Sequence, residues 1–180
     1  MSGQDKDTVS YKVGILVDFE DVNINQVGLK YRTSRDLSLS LRARVTSSRT
    51  TTQRDFRSAL RQLDTYILTV GIEYRIIKYS DFSLFPALSV GLNKTKSKNP
   101  FYYYYPSRSG YTYENSSGYF IQAGVGCEYY LLDHLSLSAY ELSQIEFSRD
   151  ESTDEDGKDS TTSSTSYYLA YSRLTITFYF

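Results

Sequence analysis

The segment LTITFYF, residues 174–180, alternates apolar and polar side chains up to a terminal aromatic residue. Its even positions, from Leu174 to Phe180, are all apolar, whereas its odd positions carry two threonines and Tyr179. Successive side chains of a β-strand point to opposite faces. The segment therefore predicts a strand with one apolar and one polar face.

The same alternation recurs along the whole chain and predicts eight strands. They cover approximately residues 11–20, 26–32, 37–45, 66–76, 82–93, 119–129, 135–142 and 168–180. Three links are short and turn-like, around Arg35, Tyr79 and Asp133, whereas the links after the third, fifth and seventh strands are long. Glu141 falls on the apolar face of the seventh strand, which predicts a β-bulge near Tyr140. We expect the eighth strand to pair with the first and close a barrel.

Composition narrows the class of protein. The 180 residues suffice for one domain, and we expect a flexible segment over residues 1–8 and a barrel domain over residues 9–180. A net charge of −1 gives no reason to expect a nucleic-acid partner. The single cysteine, Cys127, cannot form an internal disulfide. The opening MSGQDKDTVS lacks the apolar run of a secretory signal, so either the chain is cytoplasmic or a signal peptide has been replaced by Met.

The polar face of the predicted strands decides between two kinds of barrel. A soluble lipocalin-like barrel turns its apolar face inward around a ligand, whereas an outer-membrane barrel turns that face to lipid. Glycine weakens a water-exposed strand, but inside a narrow barrel it makes room for a long side chain opposite. Aromatic residues near the ends of the apolar face fit the two membrane interfaces. The face that carries the charges also carries Gly14, Gly28, Gly71, Gly91, Gly124 and Gly126.

Charges of both signs on this face predict a network of ion pairs inside the barrel, because buried charges are tolerated when they are paired. The predicted network comprises Lys12, Asp18, Lys30, Arg32, Arg42, Arg44, Glu73, Arg75, Glu128 and Arg173. The sequence therefore favours an all-β fold, an eight-stranded antiparallel up-and-down transmembrane β-barrel with short periplasmic turns and longer extracellular loops. The soluble ligand-binding barrel stays open as an alternative.

The segment GVGCEYYLLDHLSLSAYEL, residues 124–142, resembles the penultimate hairpin of small outer-membrane barrels of the OmpA and OmpX type, which have a GxGxEY stretch, a short turn and an alternating strand. Phe180, with Phe178 and Ile176 at alternate positions before it, resembles the C-terminal signal that the outer-membrane assembly machinery reads. The resemblance implies insertion into the outer membrane of a Gram-negative-type bacterium, with both termini periplasmic and four longer loops outside. Glu141 departs from the regular alternation of that family.

Two segments carry residue types that occur in active sites or metal sites. His134 and Ser136 form a His-x-Ser pair upstream of Glu141 and Glu146, which superficially resembles the site of outer-membrane lipid A deacylases. His134 lies in a predicted periplasmic turn, whereas that family's site lies on the barrel wall toward the outer leaflet, so we expect no enzyme. The acidic segment DEDGKD, residues 154–159, lacks the spacing and the bidentate glutamate of a calcium loop. We expect a solvated loop there, with no metal and no cofactor.

Two long links carry candidate surface sites. In RDFRSALRQLD, residues 54–64, apolar residues at helical spacing predict a short amphipathic turn, either at the membrane surface or packed on the barrel rim. Its candidates for contact with lipopolysaccharide phosphates are Arg54, Arg57 and Arg61. In KTKSKNPFYYYYPSRSGYTYE, residues 94–114, tyrosines form either a recognition surface or an extended hairpin. The candidate recognition residues are Tyr102, Tyr103, Tyr104, Tyr105, Tyr111 and Tyr113.

An eight-stranded barrel is just filled by its own side chains, so the charge network should plug it. We therefore expect a non-enzymatic integral outer-membrane protein that acts through its extracellular loops or rim, in adhesion, in envelope structure or as an accessory subunit of a membrane complex. A narrow channel for small solutes or ions is the alternative. The expected partners are outer-membrane lipid and lipopolysaccharide, the assembly machinery during insertion, and a protein bound through the loops or the rim.

Overall fold

A computed structural model describes residues 12–20, 23–34, 36–54, 57–103, 108–153 and 158–180, so the predicted flexible segment lies outside the described residues. No helix in these ranges is long and apolar enough to cross a membrane. Their strands are β1 (Lys12–Glu20), β2 (Asn23–Arg32), β3 (Leu37–Arg54), β4 (Arg57–Tyr74), β5 (Ile77–Tyr79), β6 (Phe82–Tyr103), β7 (Arg108–Leu132), β8 (Leu135–Thr153) and β9 (Asp159–Tyr179).

The strands are antiparallel and the sheet closes on itself. Consecutive wall strands pair along the chain, and β1 pairs with β9 from Gly14 opposite Tyr179 to Phe19 opposite Leu174. β4 and β5 are two segments of one wall strand, because both pair with β6. The described chain is thus a closed, eight-stranded, up-and-down barrel, and the predicted fold is confirmed.

The interruption between β4 and β5 is explained by a proline on the neighbouring strand. The Ile76 N–H donates to the Leu84 carbonyl of β6 with an N–O distance of 3.0 Å. The backbone polar groups of Pro86, two residues further along β6, point to the same side as those of Leu84. Proline has no N–H to donate, so the ladder is broken at this point. The Arg75 N–H bonds instead to the Asp36 carbonyl, at 2.7 Å.

The polarity of the two faces of the wall is the reverse of that in a soluble barrel. Outward side chains are apolar and exposed, as Leu41, Val70 and Val90 illustrate. Inward side chains are largely charged or hydroxylated and buried, and they include Asp18, Lys30, Arg42, Thr69, Glu73, Glu128, Ser138, Thr175 and Thr177. A lipocalin-like barrel needs an apolar interior, so the soluble alternative is wrong. Apolar residues facing outward and polar residues facing inward are the arrangement of a barrel in lipid.

The two ends of the barrel differ in their connections. At one end, the β2–β3, β5–β6 and β7–β8 connections are short turns, as expected. At the other end, the strand ladders continue far beyond the apolar wall. They reach Arg54 opposite Arg57, Tyr103 opposite Arg108, and Thr153 opposite Asp159. The long extracellular links expected as loops are therefore mostly β-ribbon, because cross-strand pairing satisfies their backbone polar groups.

The bulge predicted near Tyr140 is absent from β8. Residues 135–142 alternate regularly, with Tyr140 and Leu142 buried inside the barrel and Glu141 exposed outside. The parity of Glu141 therefore needs no extra residue in β8. A carboxylate simply faces outward at this position.

A bulge does occur in β9. Leu142 is opposite Tyr171 in the β8–β9 ladder, while Gln144 is opposite Tyr168, so β9 has one extra residue over this interval. A bulge exchanges the faces of the residues beyond it. Tyr168 consequently shares the inner face with Gln144. Regular alternation over residues 168–180 predicts Tyr168 on the apolar face with Leu174 and Phe178, and this prediction is wrong.

The terminal segment LTITFYF forms the seam of the barrel. The Phe180 N–H donates to the Val13 carbonyl of β1 with an N–O distance of 2.9 Å. Phe178 and Phe180 are exposed on the outer face, whereas Tyr179 is buried. Recognition of Ile176, Phe178 and Phe180 by the assembly machinery stays a prediction.

Candidate functional site

Seven charged side chains meet inside the barrel, and we call them the inner network. Its members are Asp18, Lys30, Arg42, Glu73, Arg75, Glu128 and Arg173. Every member is at most 7% exposed, so nearly all of its interactions are with protein atoms. The network contains three carboxylates and four cations, and the near balance of charge makes its burial tolerable.

Glu128 is the centre of the network at the end with the short turns. One carboxylate oxygen accepts hydrogen bonds from Lys30 Nζ at 3.1 Å, from Ser136 Oγ at 2.8 Å and from the Tyr179 hydroxyl at 2.9 Å. The other oxygen accepts from Arg75 Nη2 at 2.5 Å. Hydrogen bonds to an ionised acceptor are stronger than neutral ones, so Glu128 ties β2, β7, β8 and β9 together.

The network continues toward the extracellular end through Glu73 and Asp18. Lys30 Nζ lies 2.8 Å from one oxygen of Glu73, and Arg42 Nη2 lies 3.7 Å from the other. Arg42 also contacts Asp18, with 3.0 Å between Nε and Oδ2. Arg173 completes this part of the network, at 4.0 Å from the same Asp18 oxygen. The chain of ion pairs thus joins strands on opposite sides of the barrel.

The aromatic residues of the interior could not be recognised from charge and glycine alone. Phe85 and Tyr140 are buried, with an edge-to-face contact and ring centroids 5.5 Å apart. A Cβ atom at Gly126 would lie 2.5 Å from the Phe85 ring, and one at Gly91 would lie 2.2 Å from the Phe120 ring. These glycines therefore make room for rings. Parity on β6 and β7 is the sequence feature that identifies both phenylalanines as inward.

Rings and cations also contact each other inside the barrel. The Arg173 guanidinium lies 4.5 Å from the centroid of Tyr140, and Lys30 Nζ lies 5.7 Å from that of Phe85. The Tyr140 hydroxyl donates to Glu73 at 2.7 Å. Such contacts are favourable when the cation is desolvated. They fill the interior with side chains at the level of the inner network.

Three predicted members lie outside this network. Lys12 donates to the Asp133 carbonyl at 2.8 Å, at the end with the short turns. Arg32 lies over the Tyr130 ring, 5.2 Å from its centroid, and is partly buried. Arg44 donates to a threonine hydroxyl of its own strand at 3.0 Å, nearer the extracellular end.

A ladder of polar side chains lies above the inner network. Ser89 donates to Gln122 at 2.8 Å, Gln122 to Gln144 at 2.8 Å, and Gln144 to Glu146 at 3.0 Å. Asn93 also donates to Glu146. All of these residues except Ser89 border a cavity of about 260 Å³, which we call the mouth cavity. Its lining also includes Arg44, Phe120 and Tyr168.

The candidate recognition tyrosines are only partly described. Tyr111 and Tyr113 are exposed on the outer part of β7, where Lys98 Nζ of β6 lies 3.9 Å and 5.7 Å from their ring centroids. This supports the extended-hairpin interpretation of the segment, since all three residues belong to paired strands. Outside the described part lie Tyr104, Tyr105 and the side chains of Tyr102 and Tyr103.

The candidate lipopolysaccharide arginines belong to the β3–β4 ribbon. Residues 57–64 form part of strand β4, so the predicted amphipathic helical turn is wrong for them. Arg61 is exposed, whereas the side chains of Arg54 and Arg57 lie outside the described part. Contact of these arginines with lipopolysaccharide stays a prediction.

The residues that resemble a deacylase site do not converge. His134 lies in the β7–β8 turn, the Ser136 hydroxyl donates to Glu128 inside the barrel, and Glu141 faces outward. Of the acidic segment, residues 154–157 lie outside the described part, and Asp159 accepts a hydrogen bond from Thr153 at 2.7 Å. The described ranges contain no group of three or more histidine, cysteine, aspartate or glutamate residues that could hold a metal ion.

Comparison with known proteins identifies the fold. No protein-family model and no curated protein matches the chain. The structure is similar to a major outer membrane protein from Thermus thermophilus, over 95% of this chain and 100% of that one, with a TM-score of 0.58 and 13% identity. The structure is also similar to Neisserial surface protein A, over 94% of each chain, with 11% identity and a TM-score of 0.43. It is similar to Ail, the attachment invasion locus protein of Yersinia pestis, over 96% of each chain, with 17% identity and a TM-score of 0.38. The first of these similarities shows a shared fold.

The outer wall has the features of a membrane-spanning surface. Its apolar side chains lie between aromatic residues at both ends of the apolar part of the strands, for example Tyr129 and Tyr119 on β7. We call this surface the belt. Aromatic rings at both edges of an apolar band mark the two interfaces of a bilayer. The belt and the fold together place the chain in a bacterial outer membrane, as the sequence predicted.

Proposed function

We propose that this protein is a non-enzymatic outer-membrane barrel that binds macromolecules outside the cell through its extracellular strands. The observation that carries the proposal is a sheet above the belt, formed by the outer parts of β3, β4, β6, β7, β8 and β9. We call it the ribbon wall. A passive anchor would need only short loops at this end, whereas strands of this length offer a large surface to a partner.

The ribbon wall has a free edge suited to binding. The β1–β9 ladder ends at Phe19 opposite Leu174, so β9 between Asp159 and Ser166 pairs with β8 but with no described strand on its other side. Unpaired backbone groups at a sheet edge can accept an additional strand from another chain. The segment STTSSTS, residues 160–166, contains no charge and no proline that would oppose such pairing.

A second edge of the ribbon wall differs in its charge. The β2–β3 ladder ends at Val27 opposite Ala43, so the outer part of β3 pairs with β4 alone among the described strands. This edge carries Arg44 and Arg49, and charged residues on an edge discourage strand addition. The proposed binding edge is therefore that of β9.

Attachment of whole cells tests the proposal. In the test variant, residues 149–163 are replaced by Asn-Gly, a two-residue hairpin turn, between Ser148 and Ser164, whose hydroxyls are 2.7 Å apart. Cells with the unaltered chain should attach to protein-coated surfaces or to each other, and the variant should lose this attachment while remaining a folded barrel. A Ser163→Lys variant, which adds charge at the β9 edge, should also attach less. Equal attachment of all variants, or none with the unaltered chain, would contradict the proposal.

A narrow channel for small solutes is the second candidate, and the mouth cavity favours it. Amide and charged side chains around about 260 Å³ can exchange hydrogen bonds with a polar solute. The inner network opposes it, because ion pairs and rings fill the barrel below the cavity. Recordings from planar bilayers decide between the two. Discrete conductance steps would support the channel, and silent insertion would count against it.

A further inference from the structure

The belt contains a carboxylate that faces lipid. Glu141 is exposed on the outer face of β8, with Leu137 and Ile145 on the same face to either side along the strand. It lies opposite Val125 in the ladder with β7. Val125 is between Tyr119 and Tyr129, the residues that mark the two edges of the belt on that strand. Glu141 is therefore at the depth of the hydrocarbon and not at an interface.

Ionisable side chains exposed to lipid reduce stability, and those that occur are usually functional. The Ser172 hydroxyl of β9 donates to one oxygen of Glu141 at 2.8 Å. Both residues are exposed, so this hydrogen bond does not remove the carboxylate from the lipid-facing surface. No described residue donates to the second oxygen. The other carboxylates at this depth lie inside the barrel, whereas Glu141 lies on its outer surface.

The wall around Glu141 is recessed. Three of its nearest neighbours on the outer face are small, namely Ala139, Ser143 and Ser172, whereas the opposite wall carries leucine, valine and isoleucine. An open depression of about 950 Å³ lies here, bordered by Leu84, Val125, Cys127, Glu141, Ser172 and Leu174. We call it the lateral notch. It is mostly apolar, with Glu141 as its carboxylate on the outer face, and its lining also includes the inward-facing Arg173.

We propose that the lateral notch binds a membrane-embedded segment of another protein that carries a lysine or arginine at the depth of Glu141. A lipid chain can fill the recess but cannot donate a hydrogen bond to the carboxylate. A second copy of this chain presents no lysine or arginine among its described outward residues between the aromatic edges of the belt. Two copies that met notch to notch would also enclose a void, because both surfaces are concave. This site is independent of the ribbon wall.

Cross-linking from the notch tests the proposal in native outer membranes. Cys127 borders the notch and is the only cysteine of the chain, so a photoactivatable cross-linker can be attached there to the full-length protein. The matched control is Val70→Cys in a Cys127→Ser background, on an exposed part of β4. We expect a protein adduct from Cys127 and none from the control position.

The adduct must also depend on the carboxylate. Loss of one partner of a desolvated charge pair should reduce the yield of the adduct roughly 30-fold in Glu141→Gln. Sequencing of the adduct should give a membrane-embedded peptide with lysine or arginine, and reversing that charge should restore the yield in Glu141→Lys. An adduct with a second copy of this chain, an adduct with lipid alone, a yield unaffected by Glu141→Gln, or no adduct would each overturn the proposal.

Stability in pure lipid separates binding from a structural role. In synthetic bilayers without other proteins, Glu141→Leu should unfold at the same or a higher denaturant concentration than the unaltered chain, because it removes a polar group from the lipid face. The same variant should give no adduct in native membranes. A Glu141→Leu chain that is less stable in pure lipid would show that Glu141 and Ser172 serve the barrel itself, and would overturn the proposal.

Discussion

At the scale of single residues, the packing of the barrel interior depends on a few side chains that each have many partners. Glu128 receives hydrogen bonds from four strands or turns, and each of its oxygens has a cationic partner. Gly91 and Gly126 contribute by having no side chain, since the space of a Cβ is taken by a ring. Charge pairing and close packing therefore act together to fill the barrel.

Removal of the Glu128 charge should destabilise the barrel. Glu128→Gln leaves Lys30 and Arg75 without their shared partner, and a broken buried pair costs about 3–5 kcal/mol. We expect a fall of that order in the free energy of unfolding, measured in urea from the gel mobility of the folded form. Glu114→Gln, at an exposed position of β7, is the control and should change stability by less than about 0.5 kcal/mol. Equal effects of the two substitutions would refute a central role for Glu128.

A methyl group at Gly91 should also be disruptive. The Cβ of Gly91→Ala would lie 2.2 Å from the Phe120 ring, and overpacking of this kind costs about 1–3 kcal/mol. Phe120→Leu in the same chain should recover part of the loss, because it removes the obstructing ring atoms. The urea midpoints of the two single variants and the double variant measure this coupling. Additive effects would show that the two positions do not interact.

At the scale of elements, alternation of side chains predicted the strands and most of their faces, because the two sides of the wall have opposite polarity. It placed Tyr168 on the wrong face, since the extra residue of β9 lies among serines and tyrosines of no clear polarity. Alternation also predicted loops where the structure has the ribbon wall, because strands exposed to water on both faces show no alternation of apolar and polar residues. The ion-pair partners within the inner network depend on register between distant strands, which sequence alternation does not specify.

The β9 bulge leads to a prediction about deletions. Leu169 lies within the interval of β9 that has the extra residue, and it is 87% exposed. Deleting it should restore simple pairing without moving any other residue to the opposite face, so the chain should still fold. Leu174 pairs with Phe19 at the seam. Deleting it should instead move the side chains on one side of the deletion to the opposite face of the sheet and prevent folding. The folded fraction on gels without boiling measures both outcomes, and equal tolerance of the two deletions would contradict the assigned register.

At the scale of the whole molecule, three surfaces have distinct chemistry. The interior is charged and filled, the belt is apolar apart from the lateral notch, and the ribbon wall is polar and rich in tyrosine, serine and threonine. This division explains why a chain with a mean hydropathy of −0.44 can still span a membrane, since only alternate residues of the strands face lipid. The two proposed binding activities belong to the two outward surfaces, because the interior below the mouth cavity is occupied by its own side chains.

Spin labels on β6 test most directly whether the apolar face of the barrel meets lipid. The labels are attached to single cysteines in a Cys127→Ser chain that is reconstituted in bilayers. Successive positions, namely Ala87, Leu88, Ser89 and Val90, place the label alternately on the inner and the outer face. Labels at Leu88 and Val90 should collide with oxygen dissolved in lipid and not with a water-soluble nickel chelate, whereas labels at Ala87 and Ser89 should be shielded from both. Collision of the Leu88 and Val90 labels with the nickel chelate would place the apolar face in water and rule out a membrane-spanning barrel.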